Sequence, residues 1–290
     1  IESPEQVKQL TRDLQNIADT PLFIAVDQEG GIVNRLTPEY GFPEFLSWHE
    51  IGKLNDIEKT RAFSLLVANT LQKCGINLNL APVLDVQKNN DSIIGKEGRC
   101  ISDDPEQILK YSRIFIEEHR KKQIASSGKH FPGQGSAIQD AHDELTDITN
   151  SWIESELHPY VELIKSNHLK MIMTGHVLIK SLDKNYPATL SKKIIDDLLR
   201  KKMGFNGVVI SDDPVMKAIS DNYSWEETLE LMVIAGNDII CLGNNLMPYR
   251  ENLIPESIET IISLVDEGKI PSDRIEKSYR RILNMKSMIA

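Results

Sequence analysis

One short segment of the sequence combines two cations, two glycines and an Asp-X-His pair. Lys129 and His130 follow an apolar run, at the start of KHFPGQG, and Asp140 and His142 come soon after. A strand end would hold the two cations in place, while the glycines would let the segment move or approach a ligand closely. Asp140 can fix the tautomer of His142 and raise its basicity. The segment predicts an active-site loop, and a polar surface loop with incidental histidines is the alternative.

Two adjacent carboxylates, Asp212 and Asp213, follow a second apolar run, GVVIS. Successive side chains of a strand point to opposite sides, so we expect one of the two to face a substrate. That carboxylate could attack an anomeric carbon and form a covalent glycosyl intermediate. Asp213, ahead of Pro214, is also a candidate helix N-cap. The proton donor that such a reaction needs can come from Asp140 and His142.

Other polar side chains stand at or near the ends of apolar runs. Asp27 could accept hydrogen bonds from two sugar hydroxyls, and Arg99 carries a planar donor fork suited to hydroxyls or carboxylates. A solvated turn is the alternative for Asp27, and a surface salt bridge is the alternative for Arg99. Asp85 could orient cationic neighbours or cap a turn, whereas His176 is typical of a buried structural histidine.

The elements that must position these residues alternate along the chain. Six apolar runs are predicted as strands: 21–27, 76–85, 123–131, 169–176, 207–213 and 237–243. The segments predicted as helices are 45–73, 105–122, 151–167, 191–202, 224–235, 255–267 and 271–288. Strands that alternate with helices indicate a parallel sheet covered on both faces.

Two parallel architectures fit this order, the open doubly wound sheet and the closed barrel. All strand ends of a barrel meet at one pocket, whereas an open sheet gathers ligands at a single switch point. Nearly every predicted strand ends beside a side chain useful for sugar or proton chemistry. We therefore predict an α/β fold, a (β/α)8 TIM-like barrel formed by one domain over residues 1–290. Six strands are visible, so we expect the remaining strands to come from a missing N-terminus and from an irregular or unrecognised strand.

Composition limits the class of partner. The chain has 33 Lys and Arg against 43 Asp and Glu, a net charge of -10, which gives a nucleic acid or an anionic membrane no electrostatic attraction. The three cysteines are widely spaced and indicate neither a disulfide framework nor a zinc motif. With no membrane-spanning run and no signal peptide evident, we expect a cytoplasmic monomer that acts on a small molecule. The first residue, Ile1, leaves room for an upstream segment.

Taken together, these segments resemble bacterial β-N-acetylglucosaminidases of glycoside hydrolase family 3, especially the single-domain enzymes of peptidoglycan recycling. The likeness runs from about residue 24 to 243 and is carried by AVDQEGG, NLNLAPVLDV, IGKEGRCISDDPE, KHFPGQG, DAH, IMTGHV, PATLS and GVVISDD. The resemblance implies a (β/α) barrel that needs no metal or organic cofactor. It also implies that the first barrel strand is missing from this chain.

The resemblance further implies a role for individual residues. Asp212 corresponds to the nucleophile, His142 to the acid/base and Asp140 to its partner. The residues implied to hold the N-acetylglucosamine hydroxyls are Asp27, Arg99, Lys129 and His130. The implied activity is that of a retaining, exo-acting enzyme that removes non-reducing N-acetylglucosamine from muropeptides such as GlcNAc-1,6-anhydroMurNAc.

Four positions depart from the pattern of these enzymes. Ile32 stands where relatives commonly have Arg, although Arg35 lies near by. The other departures are Gln134 for His, Ala141 for Ser and Pro214 for Leu. They leave the implied nucleophile and acid/base in place but bear on substrate preference and rate.

Three other functions stay open at this point. A metal-dependent barrel hydrolase could use His130, His142, His176 and Asp212 as ligands, although the paired-histidine spacing of an early strand is missing. A phosphorylase would replace water by phosphate in the second step. A sugar-binding homologue without activity would fit the departures at Ile32 and Gln134.

Overall fold

The computed structural model describes residues 1–89, 91–244 and 249–288. In chain order its strands are β1 (Ala25–Val26), β2 (Gln28–Gly30), β3 (Val33–Asn34), β4 (Leu78–Asn79), β5 (Ala125–Phe131), β6 (Thr146–Asp147), β7 (Met171–Thr174), β8 (Val177–Leu178) and β9 (Val208–Ser211). Five of them form one parallel sheet in the order β1-β4-β5-β7-β9. A parallel bridge between Ile210 and Ile239 extends this sheet beyond β9. The pair β2 and β3 and the pair β6 and β8 form two small separate sheets.

Helices alternate with the strands of the main sheet. The α-helices are α1 (Pro4–Asn16), α2 (Trp48–Leu54), α3 (Ile57–Lys73), α4 (Ile93–Lys96), α5 (Pro105–Lys121), α6 (His158–Lys165), α7 (Lys217–Ser220), α8 (Trp225–Ala235), α9 (Leu253–Asp266) and α10 (Ser272–Lys286). A π-helix covers Lys193–Lys202. Across the described ranges, no helix combines the length and apolar character needed to cross a bilayer. The architecture is the barrel-type α/β arrangement that the sequence predicts, with the described strands forming part of the wall.

Alternate side chains of a sheet strand face two different layers. In β9, Val208 and Ile210 belong to an inner cluster that includes Met285 of α10. Val209 between them belongs to the larger cluster packed against the outer helices. Because side chains alternate along a strand, the residue two positions after Ile210 continues on the inner side. That residue is Asp212.

The predicted helix 45–73 is wrong as one element, because the chain turns inside it. Asn55 ends α2 in the left-handed region, with φ 45°. Asp56 then caps α3, and its carboxylate accepts hydrogen bonds from the N–H groups of Glu58 and Lys59. Asn at a C-cap followed by Asp at an N-cap is a local signal for two helices.

Three further differences concern the extent of the predicted elements. The predicted helix 151–167 contains a 3₁₀ turn, Glu154–Leu157, before α6 begins. The predicted strand 237–243 pairs only through Ile239 among the described residues. The predicted elements omit α1, although Ser3 caps it by accepting a hydrogen bond from the Gln6 N–H and a proline in the first turn favours its start.

Candidate active site

The carboxyl ends of the parallel strands surround a cavity of about 450 Å³, within the range of small-molecule sites. The structure brings together at this cavity every residue that the sequence predicts for the site. These residues are Asp27, Arg99, Lys129, His130, Asp140, His142 and Asp212. Residues far apart in the chain therefore meet where a barrel concentrates its functional groups.

Asp212 extends the inner row of β9 into this cavity. Its Oδ1 accepts a hydrogen bond from the N–H of Asp213 at 2.9 Å. Burial alone would raise its pKa, but His176 and His130 close by hold the pKa of Asp212 below the usual value. The site therefore holds an ionised carboxylate, the form that a nucleophile requires.

Asp213 has a different environment from its neighbour. Its carboxylate accepts hydrogen bonds from the N–H groups of Val215 at 3.0 Å and Gly243 at 3.2 Å, and burial raises its pKa. The Nε2–H of His176 donates to the Asp213 carbonyl at 3.0 Å. His176 is fully buried and holds the backbone next to Asp212, in line with the structural role predicted for it.

Asp140 and His142 form a hydrogen-bonded pair at the rim of the cavity. The Oδ1 atom of Asp140 accepts from the Nδ1–H of His142 at 2.7 Å and from its backbone N–H at 2.9 Å. The His142 side chain is 50% exposed, and its Nε2 has no hydrogen-bond partner among the described residues. A carboxylate on Nδ1 fixes the tautomer and leaves Nε2 for proton transfer.

The loop that carries this pair is anchored to the rest of the fold. The N–H of Ala218, in α7, donates to the Ala141 carbonyl at 3.1 Å. A β-carbon at Gly135 would collide with the Val86 carbonyl, and one at Gly133 would lie 2.8 Å from Oε2 of Glu156. The glycines of KHFPGQG thus allow the loop to pack closely against protein. The expectation that they serve motion or the approach of a ligand stays a prediction.

Lys129 is the centre of a buried ionic network. Its Nζ lies 2.6 Å from Oδ1 of Asp27 and 2.6 Å from Oε1 of Glu29. Burial alone would lower the pKa of Lys129, but the two carboxylates raise it and keep the ammonium charged. The Asp27 side chain is 32% exposed, against 2% for Glu29. Asp27 therefore presents a fixed and accessible acceptor to the cavity, whereas the Glu29 carboxylate is buried.

Arg99 donates two parallel hydrogen bonds to Glu29. Its Nε donates to Oε2 at 2.9 Å and its Nη2 donates to Oε1 at 3.0 Å. Although burial opposes it, the charges of Lys129 and Arg99 lower the pKa of Glu29 to about 2. Arg99 is thus held by a buried carboxylate. The alternative interpretation, that Arg99 forms a surface salt bridge, is wrong. Two cations that share one buried acid are fixed in position before any ligand arrives.

His130 is oriented by Asp85. The Nδ1–H of the ring donates to Oδ2 of Asp85 at 2.7 Å, and the backbone N–H of His130 lies 3.2 Å from each carboxylate oxygen. The N–H of Gln134 donates to the same carboxylate at 2.9 Å. Asp85 therefore orients a neighbouring cationic group, which is one of its two predicted roles.

Three residues of the site were not predicted from the sequence. Glu29 stands inside the segment DQEGG, two residues after Asp27, but the alternation of a strand does not distinguish a supporting acid from a solvated one. Arg35 lines the cavity and has no salt bridge to any residue that the structure describes. Glu156 lies under the loop at Gly133, and no motif marks it.

The departures from the family pattern differ in their position. Ile32 is 61% exposed and is not part of the cavity wall, whereas Gln134 and Ala141 line the cavity. Pro214 follows the site at the turn after β9. Within residues 1–89, 91–244 and 249–288, no three His, Cys, Asp or Glu side chains converge as a metal-ligand group. The four ligands considered for a metal-dependent hydrolase thus do not form such a group there.

Comparison with known proteins identifies the relatives of this arrangement. The sequence model of the glycosyl hydrolase family 3 N terminal domain matches residues 1–285. A protein named Beta-hexosaminidase from Photobacterium profundum is 36% identical over 83% of this chain and 71% of its own length. The family match covers all of the residues predicted for the site.

Solved structures share the fold over nearly the whole chain. A glycoside hydrolase family 3 beta-N-acetylglucosaminidase from Paenibacillus superposes with a TM-score of 0.91 and 31% identity, over 99% of this chain and 54% of that one. LpqI from M tuberculosis superposes with a TM-score of 0.85 and 27% identity, over 97% of this chain and 81% of that one. The present chain therefore spans about half of the Paenibacillus protein. These superpositions confirm the TIM-like barrel predicted from the sequence.

Proposed function

The chain belongs to glycosyl hydrolase family 3, and on this premise we propose that it is a retaining exo-β-N-acetylglucosaminidase. One observation carries the proposal: the carboxylate of Asp212 and the hydrogen-bonded pair of Asp140 and His142 line the same cavity. The names of the relatives, Beta-hexosaminidase and beta-N-acetylglucosaminidase, support the sugar specificity.

In the first step, the Asp212 carboxylate attacks the anomeric carbon of the bound sugar and forms a glycosyl ester. The bond from that carbon to the leaving oxygen breaks, and protonated His142 gives its Nε2 proton to that oxygen. Asp140 stabilises the imidazolium through the hydrogen bond at Nδ1. The lowered pKa of Asp212 supports the role of attacking group because it keeps the carboxylate ionised.

In the second step, neutral His142 takes a proton from water as the water oxygen attacks the same anomeric carbon. The bond to Asp212 breaks and its carboxylate is regenerated. Two successive inversions return the sugar in its original β configuration. One imidazole thus acts first as the acid and then as the base.

The ionic network around Lys129 supports recognition of sugar hydroxyls. Asp27 presents an acceptor, while Lys129, Arg99 and His130 present donors whose positions are fixed by Glu29 and Asp85. Polar groups held in place before binding lose little entropy when a ligand arrives. For the natural substrate, we propose N-acetylglucosamine linked to 1,6-anhydroMurNAc in cell-wall fragments, supported by the likeness of the motifs to the recycling enzymes.

Nuclear magnetic resonance of the reaction tests this proposal. The enzyme is incubated with an aryl N-acetyl-β-glucosaminide and, in parallel, with GlcNAc-1,6-anhydroMurNAc, and the first anomer released is recorded. We expect β-N-acetylglucosamine from both, and first release of the α anomer would refute retention. A parallel reaction with inorganic phosphate should yield the free sugar, since formation of the sugar 1-phosphate would identify a phosphorylase. Absence of turnover with measurable sugar binding would identify an inactive homologue.

A further inference from the structure

A second cavity, of about 260 Å³, lies between the π-helix and the beginning of α10. It is at the end of the barrel opposite Asp212, since Nη1 of Arg200 in its wall donates to the carbonyl of Gly207, just before β9 begins. Five cationic side chains line the cavity: Lys192, Arg200, Arg274, Lys277 and Arg281. The mechanism proposed above uses none of them.

The charges around this cavity do not balance. The acidic lining residues are Asp196 and Asp273, and Asp238 lies behind the wall with a fully buried side chain. The five cations thus face three carboxylates, an excess of two positive charges. The whole chain has a net charge of -10, so this concentration of positive charge departs from the rest of the molecule. An anion would be attracted here against the general field of the protein.

Three guanidinium groups share the one carboxylate of Asp238. Its Oδ2 accepts from Arg200 at 2.6 Å, and its Oδ1 lies 3.1 Å from Arg281 and 3.3 Å from Arg274. Burial, together with repulsion from Arg281 and Arg274, lowers the pKa of Arg200 to about 10 despite the attraction of Asp238. The cluster therefore carries positive charge that its internal acid does not neutralise.

Several donors of the cluster are not used by the described part of the protein. The hydrogen bond to Asp238 is the only one from the Arg281 guanidinium to a residue that the structure describes, and in the same ranges Lys192 has no salt bridge. The Nε of Arg200 is buried and has no partner among the residues that the structure describes, and the side chain is only 8% exposed. Buried N–H groups are normally satisfied, so the unpartnered Nε of Arg200 beside a cavity indicates a missing acceptor.

We propose that this cavity binds a phosphate group, as free phosphate or as a small phosphate monoester. A phosphate dianion matches the excess of two positive charges, and its oxygens match the planar donor forks of arginine. The first turn of α10 adds the positive end of a helix, since Pro271 and Asp273 line the same cavity. The volume exceeds that of phosphate alone and leaves room for a small organic group.

Titration calorimetry and thermal unfolding test the proposal with three versions of the chain. The wild type is compared with the double variant K192Q/K277Q, which removes two exposed cations of the cavity and leaves the arginines around Asp238 intact. The matched control is K165Q/K202Q, which removes two exposed lysines outside the cavity. Each is titrated with inorganic phosphate and with a hexose 6-phosphate at constant ionic strength.

We expect saturable binding and a ligand-dependent rise in Tm for the wild type and the control. In K192Q/K277Q the affinity should fall by about 10-fold or more. Phosphate bound at the catalytic cavity would affect all three proteins equally, so the difference between the variants isolates the second cavity. Tighter binding of the ester would identify an organic phosphate as the ligand, and equal binding would identify free phosphate. No saturable binding, or the same affinity in all three, would overturn the proposal.

Discussion

Asp140 accepts two hydrogen bonds from His142, one from the backbone N–H at 2.9 Å and one from ring Nδ1 at 2.7 Å. Although burial acts in the opposite direction, these bonds lower the pKa of Asp140, so the pair carries a carboxylate. The backbone bond fixes the distance between the two side chains, and the ring bond fixes the tautomer. The exposed imidazole thus keeps one orientation before a substrate arrives.

Replacement of Asp140 by Asn should impair only the steps that need proton transfer. The amide cannot stabilise an imidazolium as a carboxylate does, so kcat for substrates with poor leaving groups should fall by about 10²- to 10⁴-fold. Activated aryl glycosides, whose leaving oxygen needs no proton, should lose less in the first step. The measurement is the dependence of kcat/KM on the pKa of the leaving group.

Asp143→Asn is the matched control, because Asp143 belongs to the same loop and its nearest cation is Lys217, 3.7 Å away. Its leaving-group dependence should equal that of the wild type. Equal losses on good and poor leaving groups for Asp140→Asn would argue against an acid role of the pair.

Replacement of Glu29 by Gln should break the ionic network around Lys129 and destabilise the protein. The change leaves Lys129 and Arg99 buried without their shared acid, and the free energy of unfolding should fall by about 3–5 kcal/mol. Because the pKa of Glu29 is lowered from 4.5 to about 2, its stabilising effect is complete above pH 4.5 and is lost as the pH falls toward 2. Urea unfolding between those pH values should show a smaller pH dependence for the variant.

The control for this prediction is Glu97→Gln. Glu97 also pairs with Arg99, at 3.4 Å, but its side chain is 28% exposed. Water compensates for such a loss, so the free energy of unfolding should change by about 1 kcal/mol or less. Similar losses in both variants would show that the buried position of Glu29 has no special effect.

The sequence could predict the residues at the strand ends because type and spacing both carry information there. Asp27, Lys129 and Asp212 each follow an apolar run, and a barrel brings such ends together. The two-residue period of β9 also separates Asp212 from Asp213, whose carboxylate accepts backbone N–H groups instead.

The parts that the sequence could not predict depend on tertiary packing. Glu29 differs from a solvated acid because Arg99, seventy residues away, and Lys129 both reach it. The contact of Gly135 with the Val86 carbonyl joins two segments whose distance is set by the whole sheet. The break of the predicted helix 45–73 is a different case. Asn55 and Asp56 are a local signal for it, but the prediction followed the apolar periodicity instead.

Replacement of Glu156 by Gln should remove a loss of stability that the wild type shows between pH 4.5 and 8. Burial raises the pKa of Glu156 from 4.5 to about 8, and Asp85 adds to the rise while Lys88 opposes it. The native state therefore keeps a proton that the unfolded chain releases, and wild-type stability falls as the pH rises from 4.5 to 8. The amide of the variant does not titrate, so its stability lacks this pH dependence. At pH 8 the variant should gain up to roughly 4 kcal/mol relative to the wild type.

Chemical unfolding at pH 4.5 and at pH 8 checks this sign, with Glu154→Gln as the control from the same turn. The Glu154 side chain is 80% exposed, so its replacement should leave the pH dependence unchanged. The assignment would be contradicted if the free energy of unfolding of the wild type rose more between pH 4.5 and 8 than that of Glu156→Gln.

The departure at position 32 should not affect catalysis. Ile32 is exposed and lies outside the cavity wall, so Ile32→Arg should leave kcat/KM within about twofold of the wild type. Arg35→Gln is the contrast, since Arg35 lines the cavity and its loss should raise KM by about 10-fold or more. Steady-state kinetics on an aryl N-acetyl-β-glucosaminide compare the two. A large change for Ile32→Arg would place position 32 in the substrate site.

The covalent role of Asp212 is tested most directly by mass spectrometry of the protein quenched during turnover of an activated fluorinated N-acetylglucosaminide. We expect one N-acetylhexosamine derivative per chain, attached to Asp212, and no such attachment in Asp212→Asn, whose hydrolysis rate should fall on the order of 10⁴-fold. Asp213→Asn should still be labelled at Asp212. A sugar attached to Asp213, or normal turnover by Asp212→Asn, would contradict the mechanism.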